Sequence, residues 1–307
     1  MRILFMGTPD IAAVSLKYLI DCGKNIVGVV TQPDKPRGRK QIMTPPETKT
    51  MAINAGIPVF QPEKVKNGEL MPVLEELKPD LIAVVAYGKI LPEEVLNYPK
   101  YGCVNMHGSL LPKYRGAAPI QWAVINGEKI TGVTTQKMDK GMDTGDILMT
   151  KQIEIGEYET SEQLFDRMAI LGAEVLNETI DNIESLVPVP QNNNEATYAP
   201  MIEKDMANID WSKSAREISK LICGMNSWPI AYTQYIGETM KIYEAIVSDE
   251  AFEGKIGEIK DIKGEIKVKC GKDVLIIKSL QFPGSKRMSA ADYLRGHSIN
   301  NGVVLGE

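Results

Sequence analysis

Asn105 and His107 stand two residues apart in CVNMHGS, at the end of a short apolar run. In an extended chain, residues i and i+2 face the same way, roughly 7 Å apart. An amide able to donate to an oxygen gaining negative charge would then lie beside an imidazole that can give or take a proton near neutral pH. Together they can bracket one carbonyl group. Three carboxylates follow in DKGMDTGD: Asp139, Asp143 and Asp146. One of them reaching His107 would orient the ring and stabilise its charged form. Tight turns select Asp and Gly too, and a strand-end histidine can be a packed structural residue, so pattern alone leaves both readings open. Neither Ser nor Cys is placed as a nucleophile, since Ser109 adjoins a Leu-Leu-Pro turn. The residues suggest direct transfer to an external nucleophile rather than a covalent enzyme intermediate.

A second group is basic. PDKPRGRK carries Lys35, Arg37, Arg39 and Lys40 in a Pro/Gly stretch after the second apolar run. Such a run is commonly a solvated loop, but at a site mouth it can hold the phosphates of a large anionic substrate. The net charge of −5 argues against a surface that grips nucleic acid everywhere. Residues 207–307 hold 14 Lys and Arg against 13 Asp and Glu, a net +1 that leaves −6 for the rest. The later part is therefore the less repulsive one for a polyanion.

The elements that must position these groups alternate. RILFMG, a helix through PDIAAVSLKYLIDCG, and NIVGVVTQP form a strand, helix, strand unit, and a crossover of that length implies a parallel pair. A helix near Pro46–Ala55, a strand at IPVFQ, a helix at GELMPVLEELK, a strand at LIAVVAYG, a helix at PEEVLNY and a strand at GCVNMH follow. This predicts an α/β fold with an open, doubly wound, Rossmann-like sheet. Ligands of such sheets bind beyond the carboxyl ends of the strands, where AYG and NMHGS both lie. MGTPD occupies the place of a dinucleotide fingerprint without its glycines, which disfavours a nicotinamide enzyme.

After Gly108 the pattern changes. APIQWAVING reads as a helix, TGVTTQKM and ILMTKQIEI as strands around the Asp loop, and Thr160 with Gln163 as a capping box opening a long helix. VPVPQNNN, Val187–Asn194, reads as a linker. The expected division is residues 1–186 as one domain, 187–205 as linker and 206–307 as a second. There, short runs punctuated by Gly and Asp predict a small OB-like β-barrel. The four cysteines form no CxxC pair, so neither a disulfide framework nor a metal site is expected. Pro9, Asp10 and Lys17 interrupt any signal-peptide pattern, and no apolar stretch is long enough for a bilayer span. The cytoplasm, with no membrane partner, is the expected location.

NMHGSLLPKYRGAAPI, with AYGKILP before it and MDKGMDTGD after it, resembles the folate-dependent formyltransferases. TQPDKPRGR, ATYAPMI and IDWSKSA are similar to the branch of that family acting on charged initiator tRNA, and the likeness runs over essentially the whole chain. What the resemblance implies is formyl transfer from 10-formyltetrahydrofolate to the α-amino group of methionine on initiator methionyl-tRNA, by a monomer. The family's catalytic residues match Asn105, His107 and Asp143. Its folate-binding segment matches Ser109, Leu110, Leu111 and Pro112, with pterin-pocket backbone at Ala86, Tyr87 and Gly88 and in the loop holding Asp139 and Gly141. Its tRNA-engaging basic segment matches Lys35, Arg37, Arg39 and Lys40, with Arg39 in the place of the important arginine. The C-terminal barrel would also bind tRNA. The chain departs from the family pattern at Cys223 and at Ser227-Trp228-Pro229-Ile230, where an Arg and a Pro-Trp-Pro-Gly turn are common.

Overall fold

The run ILFMG forms strand β1 (Ile3–Gly7), buried along its whole length, as a strand covered on both faces must be. The computed structural model to which it belongs describes residues 1–38, 41–66, 68–250 and 252–306. Helix α1 (Asp10–Asp21) follows, and it buries Ile11, Ala12, Leu16 and Leu19 at helical spacing. Then come β2 (Ile26–Val30), the short strands β3 (Lys35–Arg37) and β4 (Ile42–Thr44), α2 (Glu47–Asn54) and β5 (Val59–Phe60). Next are α3 (Met71–Leu77), β6 (Leu81–Val85), the single turn α4 (Glu93–Leu96) and β7 (Cys103–His107). The chain continues through β8 (Arg115–Gly116), α5 (Pro119–Ile125), β9 (Ile130–Lys137), β10 (Asp146–Glu154), α6 (Ser161–Asn182) and β11 (Tyr198–Ala199).

The main sheet has the order β10-β9-β7-β6-β1-β2-β5. β5, β2, β1, β6 and β7 run parallel, and β9 returns antiparallel to β7. One face is sealed by a cluster that includes Leu4, Met6, Leu74, Ile82, Val84, Leu91 and Val95. Each such side chain contributes about 1.5–3 kcal/mol on burial, which fixes the carboxyl ends of β6 and β7 side by side. The chain divides into two compact units. The first comprises Met1–Pro119, Thr131–Ile153 and Phe165–Ala199; the second comprises Ile120–Ile130, Glu154–Leu164 and Pro200–Glu307.

In the second unit, α7 (Ala215–Gly224) opens on a complete capping box between Ser214 and Glu217. β12 (Tyr232–Tyr235), β13 (Glu238–Ser248), β14 (Ile259–Ile262), β15 (Glu265–Lys269), β16 (Val274–Gln281) and β17 (Met288–Ser289) follow, then α8 (Ala290–Gly296). They form an antiparallel sheet of order β12-β13-β16-β15-β14, with β17 on β16. The register of β13 against β16 shifts on both sides of Glu244. Such irregularities bend and twist a strand, and the sheet is curled into a half-barrel.

Candidate active site

β7 carries Asn105 and His107 on one face, between β6 and β9. In the antiparallel register Asn105 lies opposite Gln136 and His107 opposite Thr134, and opposed residues share a face. The Asp loop after β9 folds back over that face. Its Asp143 carboxylate accepts from Gln136 Nε2 (3.0 Å), from Asn105 Nδ2 (3.5 Å) and, through Oδ2, from the Gly116 backbone N–H (2.9 Å). Oδ1 also lies 3.6 Å from His107 Nδ1, with the two side chains only 7% and 16% exposed. Asp143 takes a left-handed conformation (φ 53°), which Asp tolerates better than most residues. The Asp139 Oδ1 accepts from the Gly141 N–H and the Thr144 hydroxyl and closes the loop on itself.

The other nitrogen of the imidazole fixes its tautomer. His107 Nε2 is 2.9 Å from the Tyr114 carbonyl, which can only accept, so Nε2 carries a hydrogen. Nδ1 is the nitrogen left to face Asp143. If it too is protonated, the ring is an imidazolium beside a carboxylate; if not, Nδ1 offers a lone pair.

A layer that sequence reading missed holds this arrangement. Gln191 Nε2 donates to the carbonyls of Asp143 (2.9 Å) and Gly145 (2.7 Å), clamping the loop from the far side. Gln191 is itself held by Arg115, whose Nε and Nη2 reach its Oε1 at 3.1 and 2.7 Å while Nη2 also reaches Asn193 Oδ1 at 2.8 Å. Arg115 is 2% exposed, so its guanidinium is desolvated and its hydrogen bonds to these amide oxygens matter. The stretch read as linker is thus packed on the first unit. Val189 and Ile147 exchange backbone bonds of 2.8 Å, and β11 pairs with β8 beside Gly116.

Beyond β7, the Ser109–Pro112 turn is tied to the same strand pair. The Thr134 hydroxyl donates to the Ser109 carbonyl (2.7 Å) and accepts from the Leu111 N–H (3.1 Å), while the Ser109 hydroxyl donates to the Lys113 carbonyl (2.6 Å). Beyond β6, Ala86 and Gly88 are exposed with φ of 45° and 77°. Tyr87 between them turns inward, and its carbonyl accepts from Gln32 Nε2 (2.8 Å). Its hydroxyl is buried without a hydrogen-bond partner among the described residues, and burial pushes its pKa up to about 12. Burial likewise pushes the thiol of Cys103 up to about 12, so the cysteine in β7 is no nucleophile. Among the described residues no group of His, Cys, Asp and Glu is arranged to hold a metal ion, and no helix is long and apolar enough to cross a membrane.

The basic segment is more ordered than a loop. Lys35–Arg37 pairs antiparallel with Ile42–Thr44, making a hairpin whose Ile42 and Met43 are exposed. It is pinned at its base, where the Asp34 carboxylate accepts from Lys49 (2.8 and 2.9 Å) and Gln61 (2.8 Å). Gln61 and Lys49 hold that carboxyl below its usual range. Arg39 and Lys40 lie outside the described residues.

Two family profiles match the chain: formyl transferase over residues 1–180, and the formyl transferase C-terminal domain over residues 201–298. A protein of Alkaliphilus oremlandii (strain OhILAs) named methionyl-tRNA formyltransferase is 50% identical over 310 residues, covering 100% of both chains. One of the same name from Acetivibrio thermocellus is 50% identical over 311 residues, again across 100% of both. Among solved structures, a sugar 3N-formyl transferase crystallised with dTDP and 5-N-formyl-THF aligns with a TM-score of 0.68 at 20% identity. The alignment covers 93% of this chain and 99% of that one, and shows a shared fold.

Proposed function

Because the chain belongs to the formyl transferase family, we propose that it carries the formyl group of 10-formyltetrahydrofolate to the α-amino group of methionine on initiator tRNA, in the cytoplasm and as a monomer. The observation that carries this reading is the Asp143 carboxylate set over Asn105 and His107, in a chain half identical to proteins of that activity. Residues 1–186 carry the reacting groups, 206–307 engage the RNA, and 187–205 join them while Gln191 and Asn193 brace the site.

The residues present suit the formyl donor, a flat heterocycle with donors and acceptors along its edge and a reactive formyl nitrogen. Exposed peptide groups at Ala86 and Gly88 would meet the heterocycle's polar edge, and Leu110, Leu111 and Pro112 its apolar face, with the Asp139–Gly141 turn alongside. The donor supplies the formyl carbon; the chain supplies orientation, charge stabilisation and proton handling.

Transfer begins when the uncharged amine attacks the formyl carbon. A C–N bond forms and the carbonyl electrons move onto oxygen. Asn105 Nδ2 can donate to that oxygen, and so can His107, but only through Nδ1, because Nε2 is committed to Tyr114. That donation uses a hydrogen on Nδ1, and the Asp143 carboxylate 3.6 Å from Nδ1 orients the ring for it. The proton released by the amine passes by way of Asp143 to the departing folate nitrogen as its bond to the formyl carbon breaks. Lys35, Arg37, Arg39 and Lys40 supply the positive charge for the phosphates of the acceptor.

The test supplies 10-formyltetrahydrofolate with charged initiator tRNA and, separately, with an amino sugar nucleotide and a glycinamide nucleotide. Formyl-methionyl-tRNA is the expected product. Formylation of a small amine with none of the tRNA would overturn the acceptor while leaving the chemistry intact.

A further inference from the structure

The second unit carries a cleft of about 400 Å³ that the chemistry above leaves unused, lined by Tyr235, Ile236, Glu238, Phe282, Tyr293 and His297 among others. Its aromatic rings are layered. His297 stacks on Tyr293 at 4.6 Å with an interplanar angle of 11°, Tyr293 on Phe282 at 5.3 Å and 30°, and Tyr235 meets Phe282 edge-on at 5.8 Å. The inner end of this row is core, since Tyr235 is 9% exposed. The outer end is not: His297 lies past the end of α8 and is exposed. Its backbone N–H and Nδ1 both bond the Tyr293 carbonyl, at 2.9 and 3.2 Å, which holds the ring in its layer.

The near-parallel His297–Tyr293 pair, ending in water at His297, presents a π-face in a preset orientation, the feature on which unpaired bases stack. The polar groups around it suit a nucleotide. Glu238, exposed at the cleft, can accept from the amino edge of adenine, cytosine or guanine and repels a phosphate placed there. Lys286 and Arg295, both exposed, lie within four residues of Phe282 and His297 in the chain, with Arg295 ion-paired to Asp292 at 3.0 Å. The rings are not arranged as a cage for a quaternary ammonium, because each inner ring face is taken by its neighbour.

The geometry points to a subsite for a single unpaired nucleobase of the RNA acceptor, stacked on His297 and read along its amino edge by Glu238. This rests on the acceptor being an RNA, and it adds a contact with the body of that RNA, apart from the amino acid that receives the formyl group. The ligand class is a nucleotide in a single-stranded or looped segment.

The experiment uses the full chain and variants H297A, Y293L and E238A. Formylation kinetics with charged tRNA are compared with formylation of a small methionine ester, and each protein is titrated with short single-stranded oligoadenylate or oligouridylate while the His297 ring protons are followed by NMR. We expect H297A and Y293L to raise KM for tRNA roughly threefold to tenfold with kcat unchanged, and to leave the small ester unaffected. Oligoadenylate should shift the His297 resonances of the native chain and bind more tightly than oligouridylate, a preference that E238A, which removes the acceptor, abolishes. Unchanged KM in H297A together with undisturbed ring resonances would overturn the subsite, as would ring shifts produced by tetramethylammonium and not by oligoadenylate. If the native chain formylates no tRNA, the acceptor assignment fails by itself and the oligonucleotide titration still decides the cleft.

Discussion

Two excursions from the main sheet, the Asp loop after β9 and the basic hairpin after β2, are built in opposite ways. The Asp loop is bonded at nearly every turn: Asp139 closes it internally, Gln191 clamps two of its carbonyls, and Gln136, Asn105 and Gly116 hold the carboxylate it delivers. The hairpin is fastened at its base through Asp34, Lys49 and Gln61 and exposes Ile42 and Met43. The difference follows from what each must do. A carboxylate that orients an imidazole fails when displaced by about 1 Å, whereas charges meeting a polyanion act over a Debye length of about 8–10 Å and gain from reach.

Breaking the chemistry itself should give the largest effect. N105A, H107A and D143N each remove a group assigned to the transition state, and kcat should fall by roughly 100-fold or more, with circular dichroism and melting close to the native chain for D143N. Turnover near the native value in any of them would end that residue's assignment. One step down, the clamped loop can be loosened without touching a reacting group. A Cβ at Gly145 would lie 1.9 Å from the Lys137 carbonyl, so G145A must push the loop off β9. Q191A removes the clamp on Asp143 and takes from the Arg115 guanidinium one of its two amide-oxygen acceptors. Both should lower kcat about tenfold or more while leaving KM for tRNA nearly unchanged, as read from steady-state kinetics.

The hairpin should respond the other way. Neutralising Lys35, Arg37, Arg39 and Lys40 together should raise KM for tRNA with kcat nearly intact, and the slope of log KM against log salt should shrink by about 0.7–0.9 for each phosphate no longer neutralised. An unchanged slope would remove the hairpin from the RNA interface. The smallest effect is expected at Gly38, where an added Cβ meets nothing within 4 Å but φ is +70°. G38A should cost only about 1–2 kcal/mol in a denaturant melt and leave kcat unaltered. A loss in G38A as large as in G145A would mean that the two excursions are held alike after all.

The alternating apolar runs and their breakers locate the strands and helices of the first unit well, because burial on both faces leaves an unmistakable sequence pattern. The strand order, with β6 at the centre and β1 beside it, is not legible in the same way, since it is set by long-range packing. The site is half legible. Asn105 and His107 announce themselves by two-residue spacing in one strand. Composition alone does not choose among three aspartates in one turn, because Asp139 bonds within the turn while Asp143, of the same residue type, reaches Asn105 and lies beside His107. Gln136, Gln191 and Arg115 carry no signal at all. Gln136 becomes visible only once β9 is known to lie antiparallel to β7 in that register. Gln191 sits in a polar, aperiodic stretch whose composition says tether, and its role comes from the carbonyls it happens to reach. The hairpin reads as a loop because Lys-Pro-Arg has little strand propensity, and it forms as an isolated pair where proline is tolerated.

The Gln191 clamp bears on how the protein can be dissected. A fragment ending at residue 186 would retain all three side chains proposed for catalysis and read, by sequence, as a minimal enzyme. It would have shed Gln191 and Asn193, the acceptors of a buried arginine, along with the strand at Tyr198–Ala199 that pairs beside Gly116. Such a truncation would keep the reacting groups and lose their alignment. A cut meant to preserve catalysis belongs beyond Ala199, and chimaeras that exchange the C-terminal half need their splice point there as well.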